Sequence, residues 1–454
     1  MSEPAHDSSN DLKQWQRRIF RSVWITYFAF YLCRYNMPMA KSRLCDTFSW
    51  DNSDMGTVFT ALLIMYAVGQ FVNGQLADRF GTRLIATLGA IGSVVMNLAV
   101  FGLVLVADAQ AMHPRRVLML LTVFWGINGF LQAMGWSPMV KAMAHWFPVS
   151  GRGKVMGLMG TCYQFGGAFS WLLAFFLTGY FAEQMGGDWR TVFLVPAILF
   201  AAVGVFFFIT IRDRPEDVGL PAVNPDEQPF GDLSEASSGP SITRNIIRTL
   251  KNPYLWIVAG TFFLLDVNRY GFVNWLPAYL DDQAGEQAMT LMANFKVAMK
   301  RCIHPLAGSV GAVLAGWATD RFFNGRRAPV IVVMLAMLGV SSMFFTRIDP
   351  NNTGLVIAVV ALIGFCTYGP HILMVGHAAQ DFGKKSGAAG AAGFIDGMGY
   401  IGASLAGWAA GEMIDSRGYE DTFMVFGFAA FAGALLAAVI WKVGPHTENP
   451  THPH

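Results

Sequence analysis

The sequence predicts an all-α membrane protein, twelve transmembrane helices in two pseudo-symmetric six-helix halves, and three observations carry that prediction. Of the 454 residues, 54% are hydrophobic and only 14% are charged, where a soluble domain has about a quarter of its residues charged. Apolar runs of about twenty residues, the length that crosses roughly 30 Å of hydrocarbon, occur twelve times. A short polar phrase after the second run returns after the eighth, so the chain repeats itself at the level of its halves.

Residues 1–18, MSEPAHDSSNDLKQWQRR, contain no apolar core of the kind a cleavable leader needs, and read as a cytoplasmic tail. The first half covers 19–211, with apolar runs at 19–40, 54–76, 83–106, 116–140, 154–181 and 191–211. Residues 212–252 form the longest polar connection, rich in Pro, Gly, Ser and acids, and read as a cytoplasmic linker. The second half covers 253–442, with runs at 253–280, 291–317, 328–346, 354–380, 386–412 and 421–442, and a second cytoplasmic tail follows at 443–454. Basic residues are somewhat more frequent in the loops on the side of the N-terminus, so the positive-inside rule places both termini in the cytoplasm of a cell whose inner membrane holds the protein.

The repeated phrase is GQLADRFGTR, Gly74 to Arg83, in the first half and GWATDRFFNGRR, Gly316 to Arg327, in the second. Both have the form G-x-x-x-D-R followed by Gly and a basic residue, and the pair resembles the loop signature of the major facilitator superfamily. Asp78, Arg79 and Arg83 in one loop, and Asp320, Arg321 and Arg326 in the other, fall at inner helix ends. An acid there can cap backbone N–H groups or pair with arginines across the seam between halves, forming a latch that holds one state of a two-state machine. A solvated charge cluster that fixes topology is the simpler reading. Glycines gather in the fifth and eleventh runs, where small residues let membrane helices approach closely, so these two helices are expected to be central.

Two spans carry an arginine deep within them, Arg34 in FRSVWITYFAFYLCRYNMPM and Arg269 in LWIVAGTFFLLDVNRYGFVNWLPAYL. An arginine at the centre of a membrane helix costs about 2.5–3.5 kcal/mol on insertion scales, so an anion or a wet cavity must offset it. Each guanidinium offers a planar fork of donors suited to a phosphate or carboxylate, and at equivalent positions of two repeats the pair would make a two-sided clamp. Local neutralisation is the competing explanation, and Arg269 has a candidate for it in Asp266, three residues earlier on the same helix face. Arg34 has no acid within one turn of its own span. In the eighth run, Lys296, Lys300 and His304 recur every four residues beside Arg301, which suggests a cationic stripe facing a cavity and an anion larger or more charged than inorganic phosphate. Asp396, in the eleventh run, could pair with that stripe, accept sugar hydroxyls or carry a proton. Tyr35 and Tyr163, with Tyr31, Gln164, Trp136, Tyr270, Asn274 and Tyr400, offer donors and flat rings at cavity depth, although aromatics also fill helix seams.

Several classes are excluded. The sequence has no GxxxxGK[ST] phosphate loop, no HExxH, no GxSxG and no pair of acids with metal spacing, so neither an ATP-driven pump nor an enzyme is expected, and no cofactor or metal. A net charge of +2 without a basic tract argues against nucleic acid. The five cysteines are scattered and read as packing residues.

With these residues in view, the chain from about Arg18 to Gly444 resembles the organophosphate:inorganic phosphate antiporter family, which includes glycerol-3-phosphate and hexose-6-phosphate transporters. The matching phrases are YLCRYNMPMAKSRL in the first run, GFLQAMGWSPMVKAMAHWF around the fourth, RDRPEDVGLP after the sixth, NPYLWIVAGTFFLLDVNRYGFVNWLPAYL in the seventh, and GFCTYGPHILMVGHAAQDFGKKSGAAGAAGFIDGMGYIG across the tenth and eleventh. The resemblance implies that Arg34 and Arg269 bind the phosphoryl group. It also marks departures: the lysine and histidine of bacterial glycerol-3-phosphate transporters align with Gln70 and Tyr163, and the acid and lysine of the hexose-phosphate pattern with Gly393 and Asp396. The expected function is therefore alternating-access exchange of an organophosphate, of the sugar phosphate, glycerol 3-phosphate or phosphoglycerate class, for inorganic phosphate, by a monomer in a lipid bilayer. The alternatives are a transporter-like membrane sensor and a proton-coupled organic-anion symporter.

Overall fold

The computed structural model describes residues 8–148, 155–223, 251–284, 291–349, 351–378 and 394–442, and these residues contain helices and no strand. The longer helices before the linker are α1 (Ser8–Leu32), α2 (Asn36–Phe48), α3 (Asn52–Phe80), α4 (Thr82–Ala109), α5 (Pro114–Gln132), α6 (Trp136–Trp146), α7 (Thr161–Phe175), which a helical turn at 155–159 precedes, and α8 (Thr191–Thr210). After the linker come α9 (Pro253–Ala284), α10 (Leu291–Phe323), α11 (Ala328–Phe345), α12 (Thr353–Ile372), α13 (residues 394–405) and α14 (Trp408–Ala438). Two π-helical stretches, Phe176–Gln184 and Leu373–Ala378, continue α7 and α12. Among the described residues, eight helical stretches are long and apolar enough to cross a membrane. Their outer faces suit lipid: along α4, Leu84, Leu88, Ile91, Val95 and Leu98 are exposed while Gly89, Ser93 and Asn97 are buried. Inside-out patterning of this kind is what a hydrocarbon solvent selects.

The first and fourth apolar runs, expected as continuous spans, are each broken. Residues 33–35 separate α1 from α2, and residues 133–135 separate α5 from α6. The cause lies downstream. Pro38 and Pro138 lack the N–H that would bond the carbonyls of Arg34 and Met134, and each ring crowds that carbonyl. At the first break, the amides of Arg34 and Tyr35 both turn back to Tyr31 O, at 3.2 and 3.0 Å. Residues 408–438, taken together as α14, are two helices that meet at Gly418, whose φ of 83° and ψ of 175° are not helical, and this junction falls in the expected gap between the eleventh and twelfth runs.

Contacts gather the chain into two units, residues 1–40 with 65–238, and residues 41–64 with 239–454. Helix pairs repeat between them. In unit 1, α1 packs on α8, α4 on α8 and α4 on α5; in unit 2, α9 packs on α14, α11 on α14 and α11 on α12. Close approach uses glycine: a Cβ on Gly166 of α7 would stand 2.6 Å from Phe28 O of α1. The segment 41–64, part of the first half by sequence, makes its contacts in unit 2. There Asp415 accepts from the backbone N–H groups of Asn52 and Ser53 at 3.1 and 2.7 Å, and Thr60 Oγ1 donates to Ser404 O at 2.9 Å. Trp275 of α9 closes the same region, 5.5 Å from the Phe59 ring, with its indole N–H on Ala406 O.

Candidate functional site

In unit 1 the break at 33–35 is where Arg34 emerges. Its Nε donates to Gln132 Oε1 at 3.1 Å, and its guanidinium carbon lies 4.7 Å from the Tyr31 ring centroid and 4.5 Å from that of Tyr66. Such cation–π contacts stabilise by about 2 kcal/mol when desolvated. Tyr35, buried, stands edge-on to Tyr31 at 4.9 Å, and Tyr163, half-buried, stacks on Tyr31 at 6.1 Å and meets Trp136 at 6.3 Å. The arginine is thus held by an amide and enclosed in phenol rings.

Gln132 is itself fixed. Its amide N–H groups donate to Ser93 Oγ at 2.7 Å and Phe30 O at 3.1 Å; Ser93 bonds Asn128 Oδ1 at 2.6 Å. Asn128 and Asn97 both donate to Cys33 O, at 3.0 and 3.3 Å, and Asn36 donates to Asn97 Oδ1 at 2.8 Å. Carbonyls released by the helix break are therefore satisfied by side chains of α4 and α5, as buried backbone oxygens must be. None of Gln132, Ser93, Asn97, Asn128 or Asn36 is among the site residues expected from the sequence. A signal existed: Ser93 and Asn97, and Asn128 and Gln132, are polar pairs four residues apart in otherwise apolar helices.

In unit 2, Arg269 lies in the unbroken α9 and is 5% exposed. Its Nη1 donates to Asp266 Oδ1 at 3.4 Å and approaches His371 Nε2 of α12 at 2.9 Å. The rings of Tyr270 and Tyr368 lie 4.9 and 5.2 Å from its guanidinium carbon, and Asp396 of α13 is within electrostatic reach of both Asp266 and Arg269. His371 is not among the site residues expected from the sequence, since a histidine in an apolar run gives no sign of a partner 102 residues away.

The cationic stripe of α10 is placed in part. His304 is fully buried between the rings of Phe272, stacked at 6.3 Å, and Tyr368 at 5.8 Å. Lys300 is also buried, whereas the side chains of Lys296 and Arg301 lie outside the described residues. So do those of Asp78 and Asp320. Of the loop cations, Arg79 and Arg321 are exposed and Arg326 donates to Phe323 O at 3.3 Å. Arg83 folds back within unit 1, with Nε on Phe208 O at 3.0 Å and its guanidinium over the Phe208 ring at 4.2 Å. The acid that caps this loop is Asp213, from the RDRPEDVGLP phrase, which accepts from Arg83 N at 2.8 Å in the first turn of α4. Burial holds the Asp213 carboxyl above its usual range, while N–H donors from Arg83 and Thr82 draw it down. Gln70, where the glycerol-3-phosphate pattern has lysine, accepts from Ser137 Oγ at 2.9 Å.

Helices repeated in two units, each with a buried arginine, define a class that comparison identifies: the chain belongs to the Major Facilitator Superfamily, whose family model matches residues 23–299 and 302–454. Its relatives narrow this to the organophosphate:inorganic phosphate antiporter family. The chain is 30% identical to the membrane sensor protein UhpC of Escherichia coli over 93% of this chain and 92% of that one. It is 28% identical to the glycerol-3-phosphate transporter of Bacillus subtilis, covering 98% and 97%, and 30% identical to a probable hexose phosphate transport protein of Chlamydia trachomatis, covering 94% and 91%. Among solved structures, that of the nucleoside transporter NupG aligns with a TM-score of 0.68 at 13% identity, over 93% of this chain and all of that one, a likeness of fold. The chain is an integral membrane protein of a transport family, not an enzyme.

Proposed function

We propose that this protein exchanges an organophosphate for inorganic phosphate by alternating access, with Arg34 and Arg269 as phosphoryl ligands. The observation that supports this most directly is a guanidinium buried in each unit among aromatic rings, a placement that costs free energy unless an anion offsets it. Relatives named for glycerol 3-phosphate and hexose phosphate point to the same substrate chemistry. Net inward movement of an organophosphate would follow from outward movement of phosphate, without nucleotide or metal. Lys300, Arg301, His304, Tyr35, Tyr163 and Asp396 are candidates for contact with the rest of the substrate, and the termini are assigned to the cytoplasm. The test is phosphate exchange in proteoliposomes: Arg34→Ala and Arg269→Ala should each abolish it, and full exchange in both variants rejects the reading.

A sensor role is favoured by one observation, the similarity to a protein named as a membrane sensor. It predicts organophosphate binding by the purified protein with no flux in the same proteoliposomes.

A further inference from the structure

Among the described residues, Arg269 offers hydrogens to two acceptors of different kinds, and the difference bears on how the proposed anion site handles charge. A guanidinium has no lone pair, so at the 2.9 Å contact His371 Nε2 must be the acceptor. That makes its ring a neutral imidazole with the proton on Nδ1, and Nδ1 is buried with no hydrogen-bond partner among the described residues. Asp266, the other acceptor, is 1% exposed and sits three residues back on the same helix, so its place beside Arg269 is built into α9. His371 comes from another helix and is partly exposed. It lies in the last turn of α12, directly before the π-helical Leu373–Ala378, a rare geometry that concentrates at functional sites. Of the two acceptors, His371 is the one that can be displaced.

Resting on the anion-binding reading above, we propose that His371 is a substrate-linked proton acceptor: an oxyanion reaching Arg269 replaces the imidazole there, and the released Nε2 takes up one proton from solvent. The proton forms an N–H bond at Nε2 and leaves its conjugate base in the buffer; no other bond changes. The charge around the site supplies the reason. From α9 come Arg269 and Asp266, and from α13 comes Asp396, in reach of both. From α12 itself comes Tyr368, whose ring is 6.1 Å from that of His371. From α10 come His304, packed on the far side of Tyr368, and Lys300 one turn before it, while α11 has no ionisable side chain. Arg269 therefore already faces two carboxyl groups, and a phosphoryl group adds further negative charge. An imidazolium at position 371 offsets that charge and presents a second donor to the anion.

The experiment is calorimetric titration of the purified full-length protein with inorganic phosphate near pH 6.5, histidine's ordinary range, in two buffers of different ionisation enthalpy. The difference between wild type and His371→Gln cancels phosphate's own titration, and glutamine can accept from Arg269 but cannot take a proton. The expected result is that the variant binds phosphate with about half to one fewer proton taken up, and that its Kd changes less steeply with pH, by up to about tenfold per unit. Equal proton uptake in the two proteins overturns the proposal. His371→Asn serves as a second amide variant, with thermal melting to show that each is folded; a folded amide variant whose Kd for phosphate varies with pH as steeply as the wild type's also overturns it, because neither amide can take a proton. Absence of phosphate binding in the wild type rejects the anion-binding reading itself.

Discussion

Arg34 and Arg269 occupy matching places in two repeated halves, yet they are held by different chemistry. The contacts described around Arg34 are an amide oxygen and two phenol rings, at the site of a helix break. Arg269 sits in a continuous helix beside a carboxylate and an imidazole. A buried cation can be stabilised by dipoles and π-faces or by a counter-charge, and the two solutions differ in what happens when the cation is removed. Among the described contacts, losing Arg34 leaves the neutral Gln132 amide short of one donor. Losing a paired cation leaves a buried carboxylate uncompensated, which is far more costly.

The contrast can be broken most directly by stability measurements on the two alanine variants. Arg269→Ala should lose on the order of 3–5 kcal/mol, the usual cost of breaking a buried pair, against about 1–3 kcal/mol for Arg34→Ala. In the Arg269→Ala background, Asp266→Asn should recover most of the melting temperature while phosphate exchange stays absent. Equal losses in the two single variants, with no recovery by Asp266→Asn, would erase the distinction.

Gln132→Leu sharpens the unit 1 side. It removes the acceptor for Arg34 Nε and the donors that serve Ser93 and Phe30 O, so apparent phosphate affinity should fall roughly five- to one-hundredfold, as expected for about 1–3 kcal/mol of unsatisfied buried polar groups. An unchanged KM would show that the network positions the helix break and not the guanidinium. The smallest effect is expected at Asp213, away from both arginines. Asp213→Ala should cost about 1 kcal/mol through the lost cap on α4, a fall of roughly 1–2 °C in Tm, with substrate affinity unchanged.

What could be read in the chain before its structure was whatever depends on a residue's own environment and its near neighbours. Apolar runs, the duplicated loop phrase and the anomaly of an arginine in a hydrocarbon span all belong there, as does the i,i+3 pairing of Asp266 with Arg269, which the helix alone brings within 3.4 Å. The broken first span was also legible in principle, since Pro38 forbids a continuous hydrogen-bond ladder through Arg34. Partners from distant segments were not. Gln132 reaches Arg34 across 98 residues, His371 reaches Arg269 across 102, and Asp213 caps Arg83 across 130.

The sequence by itself determined the class of protein, its two-fold repetition and which two cations are costly, because hydrophobic periodicity and the cost of burying charge are local properties. Tertiary structure alone decided what surrounds each cation. Hydrogen bonds to a buried guanidinium are chosen by which helices pack beside it, and around each arginine the described contacts come from three separate helices.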